Sequence, residues 1–533
     1  MSRFEETFST TFGDFIPIFQ KKVPPCDDSD DYLLISGHFF GLESFLFRGV
    51  STQHAHQILQ AKSVYIELFM HLSAYRICDQ LGLSPDAILS CSSRGFEILS
   101  PTIDYQTLEE LRQSFNSFCL NHFYGLGGLS LVWMSCTSAI WQDRVAYREF
   151  QEEMRGRIEQ AWYQKFDLPN QQALLAYDED IDHQNLCPIC NLRQGKREAI
   201  CDLCQQWMKL GESLVENKSV ALVRNDGEID FFDGYGIAFD DRSDAIALMD
   251  LSQITYCTTN EREEIASLND LAERSSPTND HGLKALGLLK GDIDNLEIFL
   301  EQNHLKASFE HLHSFMASLD QFFKQDLSHL MYQSYPNTSI LFAEAGHFFL
   351  IGAWDQIIDL AQQIEEAFRR FTYDRLSLSM GIVIANPSTP MEYLVQSCNA
   401  ALEASKAFQG KSAITLFGET VAWKTYREAK ALYQALDTAQ KRLTGLSMHF
   451  IEQLFNIVVL RQSMKDPDHL LEGAMWRSRL NYLFQRNIFE YLQESDEEQN
   501  IWAQELLNML NQWIEASPEA CKMILSEFIY QRR

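Results

Sequence analysis

The feature that most restricts the fold of this chain is an ordered alternation of sequence patterns across residues 286–418. It opens with the apolar run LGLLKGDIDN, which ends in two acids, Asp292 and Asp294. The next segment places apolar residues at the spacing of one buried helix face: Leu312, Phe315, Met316 and Leu319. It is followed by SILFAEAGHFFLIG, in which two apolar arms surround a small polar tip, the pattern of a β-hairpin. The region therefore predicts a fold in which strands and helices alternate.

After the hairpin, the patterns predict helix, strand, helix and strand in turn: WDQIIDLAQQIEEAFRRF, RLSLSMGIVIA, MEYLVQSCNAALEASKAF and SAITLFG. This order predicts an antiparallel sheet backed by helices, the palm-type variant of the ferredoxin-like plan. A second unit of the same design is predicted near the N-terminus, with a hairpin at AILSCSSRGFEILSP. The spacing of equivalent glycines supports a duplication, because 58 residues separate Gly37 from Gly95 and 55 separate Gly291 from Gly346.

A palm enzyme holds divalent cations with carboxylates from its first strand and its hairpin tip, and the cations position a nucleotide triphosphate. In the second palm the strand keeps its two acids, but the hairpin tip reads Glu344-Ala345-Gly346-His347. Asp292 and Glu344 offer oxygen ligands for one ion. His347 is a poor magnesium ligand, since that ion prefers oxygen.

At these residues the chain resembles the large, polymerase/cyclase-like subunit of type III CRISPR effector complexes. The similar segments are LLKGDIDNLEIF, FLIGAWDQIIDLAQQIEEAF, LSMGIVIANPSTPM and ALEASKAFQGKSAITLFG, and the similarity covers most of the chain in the same order. The resemblance implies two palms with nucleotides between them, and synthesis of cyclic oligoadenylates from ATP with magnesium. It also implies that Lys406, which matches the lysine of the family's AK…GK segment, contacts a phosphate. Family members usually carry Gly-Gly-Asp-Asp in the hairpin, so both hairpin aspartates are absent here.

The first palm departs from the family as well. His38 follows Gly37 where the family usually has an aspartate, and Ser92-Ser93-Arg94 replaces a glycine-rich tip. Arg94 either intrudes on the space that glycines leave for phosphates or serves as a replacement phosphate ligand. Many members also start with a nuclease domain marked by an adjacent His-Asp pair. No His-Asp dipeptide occurs in this sequence, so we expect no nuclease activity of that kind.

The strongest chemical signal is the segment CPICNLRQGKREAICDLC. It contains two CxxC pairs, which predict a closed structural zinc site with four thiolate ligands: Cys187, Cys190, Cys201 and Cys204. A redox role for one CxxC pair is the alternative. The intervening loop carries Arg193, Lys196 and Arg197, which predict either an RNA contact or a solvated loop.

The acidic composition of the chain argues against strong RNA binding by the chain alone. Its formal net charge is −30, and phosphate affinity depends on clustered Lys and Arg. We therefore expect basic partner subunits to bring it to RNA, although the charge also fits any acidic soluble protein. The sequence shows neither a signal peptide nor a run of about 20 apolar residues that could span a membrane. A reducing cytoplasm is the expected compartment.

The patterns predict an α+β chain with two ferredoxin-like palm domains, a zinc-binding module between them and a C-terminal helical bundle. The predicted divisions are a lead-in (1–31), a first palm (32–150), a connector with the zinc module and a small β region (151–280), a second palm (281–418) and the bundle (419–533). In the small β region, the Asp226-Gly227 pair predicts a hairpin turn.

The missing aspartates predict a non-catalytic large subunit that does not depend on magnesium and ATP. It would anchor other CRISPR effector subunits near the tag end of the guide RNA, in a complex that targets RNA. Two alternatives stay open. One is an active cyclic oligoadenylate synthase with a rebuilt metal site, whose ATP turnover would be lost on Asp292→Ala. The other is a sensor that binds ATP without consuming it.

Overall fold

The computed structural model describes residues 31–532 with gaps at 52–53, 102–103, 138–139, 142, 165–185, 196–199, 226, 233, 240–241, 276–281, 304–308, 345, 444–445 and 493–496. The predicted lead-in therefore lies almost entirely outside the described residues. In the described part of the chain, three β-sheets are followed by a C-terminal array of helices. This arrangement confirms the predicted α+β class.

The first palm forms a four-stranded antiparallel sheet in the order β2-β3-β1-β4. Its elements are β1 Asp31–Phe40, α1 Leu42–Phe47, α2 Ala55–Gln80, β2 Ile88–Cys91, β3 Gly95–Ser100, α3 Tyr105–Phe123 and β4 Gly128–Thr137. Helix α3 begins where the Asp104 carboxylate accepts a hydrogen bond from the Thr107 amide at 3.1 Å, because a side-chain acceptor satisfies an otherwise unpaired amide there.

A buried lysine of α2 caps the short helix α1. The Lys62 ammonium donates to the carbonyls of Phe45 at 2.9 Å, Leu46 at 3.3 Å and Arg48 at 3.2 Å. These are unpaired acceptors at a helix C-terminus, where a cation is favourable. The ammonium also lies 4.8 Å from the centre of the Trp207 ring. Burial lowers the pKa of Lys62 to about 7, so the carbonyls and the ring take the place of water.

A connecting region follows the first palm, and its small sheet has the order β6-β7-β5-β8. Its elements are α4 Arg144–Tyr163, α5 Asp202–Glu216, β5 Ser219–Arg224, β6 Ile229–Phe232, β7 Tyr235–Ala238, β8 Ala247–Asp250 and α6 Leu268–Glu273. The predicted hairpin turn at Asp226-Gly227 is wrong. Strand β7 pairs with both β5 and β6 and lies between them. Strands β5 and β6 are therefore not the two neighbouring arms of a hairpin. Asp226 itself lies outside the described residues.

The second palm forms a six-stranded sheet in the order β10-β11-β9-β12-β13-β14. Its elements before the hairpin are β9 Leu286–Ile293, α7 Leu296–Gln302, α8 Phe309–Asp320 and α9 Leu327–Ser334. The rest are β10 Thr338–Glu344, β11 His347–Ala353, α10 Trp354–Phe371, β12 Leu378–Ala385, α11 Met391–Ala407, β13 Ala413–Leu416 and β14 Glu419–Ala422. Through β13 the strands come in the predicted order, but β14 Glu419–Ala422 is a further strand in the stretch predicted as the helical bundle. The sheet is not wholly antiparallel, however, because β12 and β13 run parallel; the helix α11 between them forms the crossover that parallel neighbours require.

Helices α8 and α9 are joined by a π-helical turn, Gln321–Asp326. Such wider turns are rare in proteins and occur mostly as single turns inside longer helices. The turn contains Lys324, which contacts the first palm, while Phe322 and Phe323 are buried in the core of the second palm.

The C-terminal helices pack on the second palm. They are α12 Trp423–Arg442, α13 Met448–Gln462, α14 Leu470–Gly473, α15 Trp476–Phe484, α16 Glu497–Ala516 and α17 Pro518–Tyr530. Helix α17 is the central one, since nearly all of its residues are buried. The Trp423 indole, at the start of α12, donates to the Leu378 carbonyl at 3.0 Å and so joins the bundle to β12. Among the described helices, none is long and apolar enough to cross a membrane.

The two palms share a hydrophobic core. One cluster of buried side chains includes residues of the first palm, the cysteine segment, the small sheet and one face of the second palm. Phe47 and Phe349 meet there edge to face, with ring centroids 5.3 Å apart. Side chains near this junction are therefore fixed from both palms, and the predicted site residues lie there.

Candidate functional site

The carboxylate of Asp292 is fully engaged by other side chains. Asp292 lies on the central strand β9, opposite His347 on β11 and Ser379 on β12. One oxygen, Oδ1, is 2.8 Å from His347 Nδ1. The other, Oδ2, is ion-paired with the Lys406 ammonium from α11. Because the Asp292 side chain is 7% exposed, a divalent cation could reach these oxygens only by displacing both partners.

His347 acts here as a neutral hydrogen-bond donor. Burial, with the positive charges of Arg94 and Lys290 nearby, lowers the pKa of His347 to about 4. At neutral pH the imidazole is therefore uncharged, and its Nδ1–H donates to Asp292. His347, at a position where the family usually has an acid, thus donates a hydrogen bond to Asp292, the first of the two strand acids.

Asp294, the second acid of the strand, belongs to a separate network. It is 2% exposed and accepts hydrogen bonds from the hydroxyls of Ser377 and Ser379, each at 2.7 Å, and from the Ser412 amide at 2.9 Å. These donors join the end of β9 to β12 and to the segment before β13. Such a carboxylate holds the strands together, because three donors depend on it.

Glu344, at the tip of the second hairpin, is bound by the tip of the first. Its Oε1 accepts from the Arg94 amide at 3.0 Å and from the Ser93 hydroxyl. The Arg94 guanidinium Nε lies 3.7 Å from the other oxygen. Burial raises the pKa of Glu344 to about 7, against the opposing charge of Lys324. The two hairpin tips thus touch directly, and neighbouring Ala345 lies outside the described residues. We call the contact between Ser93, Arg94 and Glu344 the tip contact.

A second polar contact between the palms was not found by sequence reasoning. The Lys324 ammonium lies 3.2 Å from both carboxylate oxygens of Glu67 on α2, and the Ser93 amide donates to Glu67 at 2.8 Å. Although burial opposes it, Lys324 and then His71 lower the pKa of Glu67 to about 2. No motif marks this pair, since both residues are single charges on long helices 257 positions apart.

Lysines surround the Asp292 site. Lys290 pairs with Glu43 of the first palm and lies 2.5 Å from the amide oxygen of Asn399. Lys411 donates to the Asn295 side chain at 2.7 Å. Burial, followed by the charges of Lys411 and Lys290, lowers the pKa of Lys406. The site therefore gathers basic side chains, of which Lys290 and Lys406 are paired with the carboxylates of Glu43 and Asp292.

His38, which replaces the family's aspartate in the first palm, is held within its own sheet. Its Nε2 is 2.9 Å from the Ser36 hydroxyl, and burial lowers its pKa. It pairs with Gly95 across β1 and β3. A Cβ atom at Gly95 would lie 2.7 Å from the Gly37 carbonyl oxygen and 3.1 Å from His38 Nδ1, so the close packing leaves no room for a side chain.

The four predicted cysteines come together in a buried cluster. Their sulfur atoms lie within 4.8 Å of one another: Cys187, Cys190, Cys201 and Cys204. The Cys190 and Cys201 sulfurs are 3.9 Å apart, close to the roughly 3.8 Å edge of a tetrahedron with metal–sulfur bonds of about 2.3 Å. The cluster therefore fits a tetrahedral metal ion, and we call it the four-cysteine cluster.

The loop of the four-cysteine cluster packs against the first palm. The Arg193 guanidinium Nη1 is 3.9 Å from the Cys190 sulfur and its carbon is 4.4 Å from the centre of the Tyr124 ring. Of the basic loop residues, Arg193 thus faces the protein, and Lys196 and Arg197 lie outside the described residues. The predicted RNA contact of this loop stays a prediction.

Two family models match separate parts of the chain. One, described as the second palm domain of Cas10/Cmr2, matches residues 285–415. The other, described as domain B of the Csm1 subunit, matches residues 31–180.

Curated relatives match most of the chain at low identity. A protein of Thermococcus onnurineus (strain NA1) is 22% identical over 524 residues, covering 87% of this chain and 66% of the relative. One from Streptococcus thermophilus is 21% identical over 439 residues, covering 76% of this chain and 56% of the relative. Both are described as CRISPR system single-strand-specific deoxyribonuclease Cas10/Csm1 (subtype III-A). The chain spans 55–66% of the length of the curated relatives it matches.

Solved structures share the fold. The Csm1–Csm4 cassette in complex with pppApApA superimposes with a TM-score of 0.70 at 17% identity, over 95% of this chain and 70% of that chain. Csm1 in T. onnurineus gives a TM-score of 0.70 at 18% identity, over 96% and 71%. Another Csm1–Csm4 cassette was solved with AMPPNP, and it gives a TM-score of 0.66 at 18% identity, over 93% and 70%. At these identities the likeness shows the fold alone.

Proposed function

The chain is a relative of the Cas10/Csm1 large subunits of type III CRISPR complexes, and we propose that it serves as a non-catalytic scaffold subunit in such a complex. The observation that carries this proposal is the state of the two carboxylates best placed to hold a metal ion. Asp292 is neutralised by Lys406 and hydrogen-bonded to His347, and Glu344 is held in the tip contact. Two-metal chemistry needs free anionic oxygens for two cations roughly 4 Å apart. Of these four oxygens only Glu344 Oε2 lacks a hydrogen bond, and the Arg94 guanidinium lies 3.7 Å from it.

For a scaffold subunit of this kind we expect specific partners and one structural metal ion. Several related structures are described as Csm1–Csm4 complexes, so we expect a subunit of the Csm4 kind to be a neighbour. The chain would bind other CRISPR effector subunits. It would encounter the guide RNA and the target RNA through the complex, in which it would lie near the tag end of the guide. The four-cysteine cluster would hold zinc as a structural ion, because four protein ligands leave no open position. Reduced thiolates of this kind suit the cytoplasm.

A second candidate function is ATP binding without turnover. It is favoured by the basic side chains around Asp292: Arg94 and Lys290 act on the charge of His347, and Lys290 and Lys411 act on that of Lys406. The site would then include Asp292, Glu344, His347 and Lys406 as a vestigial nucleotide site, while Asp294 supports the strands around it. A third candidate, an active cyclic oligoadenylate synthase, requires a metal site rebuilt around Glu344.

The test is ATP turnover by the assembled, target-bound complex, with magnesium and then manganese, read as phosphate release and oligoadenylate formation. We expect no product. Product that disappears in the Asp292→Ala variant, in a complex that still assembles, would show that the chain is a synthase. Calorimetry with ATP on the same complex separates the sensor, which binds without turnover, from a scaffold that does not bind ATP. Failure of the chain to join the other subunits would refute the scaffold role itself.

A further inference from the structure

The four-cysteine cluster places negative charge inside the protein. All four cysteines are buried, and four thiolates around a divalent cation carry a net charge of about −2. Two of the ligands lie at the start of α5, where the helix dipole favours negative charge: Cys201 is the N-cap and Cys204 is in the first turn. Buried charge is costly unless other groups offset it, so the cations near the cluster affect how firmly it holds a metal ion.

A basic side chain of the cysteine loop contacts the cluster. Arg193 follows Cys190 by three residues, and its Nη1 donates toward the Cys190 sulfur at 3.9 Å. The Arg193 carbonyl accepts a hydrogen bond from the Cys187 amide at 2.7 Å. The backbone of Arg193 is thus part of the turn that presents the first CxxC pair, and its side chain folds back onto a sulfur of that pair.

The first palm holds the Arg193 guanidinium in this position. Its Nη2 donates to the carbonyl of His122, near the end of α3, and its carbon lies 4.4 Å from the centre of the Tyr124 ring. One nitrogen therefore binds a carbonyl at a helix end while another faces a sulfur. A planar guanidinium, which stays charged and can lie on an aromatic ring, suits such a position.

A second cation lies on the same indole ring system as Arg193. The Lys62 ammonium is 4.8 Å and the Arg193 guanidinium carbon 6.0 Å from the centre of a Trp207 ring, and these side chains line one small cavity with Cys190. Lys62 is already engaged by three backbone carbonyls at the end of α1. Arg193, in contrast, reaches the sulfur itself.

We propose that Arg193 is a positioning residue for the metal ion of the four-cysteine cluster: its guanidinium offsets thiolate charge at Cys190 and so increases retention of the ion. The metal ion and the first palm are then coupled, because one guanidinium joins a metal ligand to the end of α3. Groups that contact metal ligands in this way change metal affinity by roughly 10- to 100-fold. The inference rests on the proposed metal binding by the cluster and is independent of the scaffold role.

The test compares the zinc-loaded full chain with its Arg193→Met variant, which removes the charge and keeps an unbranched side chain. Competition with a chelating dye measures zinc affinity, and we expect a loss of roughly 10- to 100-fold. Cobalt(II) in place of zinc gives a second readout. Its sulfur-to-metal charge-transfer bands should move to longer wavelength, because a thiolate without its cation gives up electron density more readily. Arg193→Lys keeps a positive charge without the planar fork and should recover part of both effects.

Arg157→Met is the matched control. Arg157 also donates to a backbone carbonyl, that of Trp133 at 3.0 Å, and its other partner is the Glu153 carboxylate rather than a cysteine. We expect its zinc affinity and cobalt bands to equal those of the unsubstituted chain.

Two results would overturn the role of Arg193. One is an Arg193→Met chain with an unchanged circular dichroism spectrum that binds zinc as tightly as the unsubstituted chain. The other is a loss of affinity with unmoved cobalt bands and no recovery in Arg193→Lys, because the side chain would then act only through packing. An unsubstituted chain that binds no zinc would refute the metal site itself, and the role of Arg193 with it.

A further measurement needs no variant to fold. Phenylglyoxal modifies arginine side chains, and peptide mass spectrometry identifies the zinc-loaded chains in which Arg193 has reacted. Zinc release to the dye should follow modification of Arg193, since the adduct removes the guanidinium from the sulfur. Zinc kept as firmly by chains modified at Arg193 would contradict the proposal.

Discussion

Replacing Lys324 with methionine should destabilise the junction between the palms, because it leaves a buried carboxylate without its cation. Only 14% of the Lys324 side chain and 8% of that of Glu67 are exposed, and the ammonium is 3.2 Å from both oxygens. Removing one partner of a buried pair costs roughly 3–5 kcal/mol. Glu67 keeps the Ser93 amide and His71 as partners, so we place the loss in free energy of unfolding at the low end, about 3 kcal/mol.

Urea denaturation followed by tryptophan fluorescence measures this loss. Lys209→Met is the matched control: Lys209 pairs with Glu228 at 3.1 Å, but the two side chains are 48% and 42% exposed, so its loss should stay below about 1 kcal/mol. The Lys324→Met/Glu67→Gln double variant should recover part of the loss, because no charge is then left buried. The reasoning fails if Lys324→Met costs no more than Lys209→Met, or if the double variant is less stable than the single one.

Three further predictions follow from individual contacts. Asp294→Ala should cost about 3 kcal/mol in urea denaturation, since it orphans two hydroxyls and one amide, while Asp294→Asn should cost less; equal losses for both would refute the role assigned to this acid. Cys201→Ser should abolish stoichiometric zinc, measured by elemental analysis of the purified chain, whereas Cys78→Ser, a buried thiol outside the four-cysteine cluster, should keep the zinc. Burial raises the pKa of Glu344 to about 7, so its contribution to stability should fall as pH rises from its unfolded pKa, near 4.3, to about 7. Glu344→Gln should therefore gain stability relative to the unsubstituted chain across that interval, and a difference independent of pH would contradict this.

The element order was predictable because each element has a clear period. Helix α10 has the predicted bounds, since its apolar residues repeat with the helical period and its charged residues occupy the other face. Pairing between strands was less predictable. The parallel pair β12 and β13 and the placement of β7 between β5 and β6 depend on how connections cross a sheet, and a local pattern does not contain that information.

The candidate site was predictable in its members but not in its contacts. CxxC spacing was enough to bring four cysteines together, because each pair acts through a local turn. Lys406 was expected to meet a phosphate, yet in this structure it is ion-paired with Asp292. The contacts of Glu344 with Ser93 and Arg94, and that of Lys324 with Glu67, join residues of different elements. Such contacts require the packed fold, since nothing in the sequence marks them.

The π turn between α8 and α9 has a consequence for chain length. A π turn accommodates one residue more than the α-helical turn it replaces, so the helix carries a spare residue between Gln321 and Asp326. Deleting one residue there would restore a regular helix and leave Leu327 and Met331 facing the core. The same deletion would move Lys324 along the helix surface and away from Glu67. Chains of this family that differ by a single residue in this helix should therefore keep the fold of the second palm and differ in how firmly it is joined to the first.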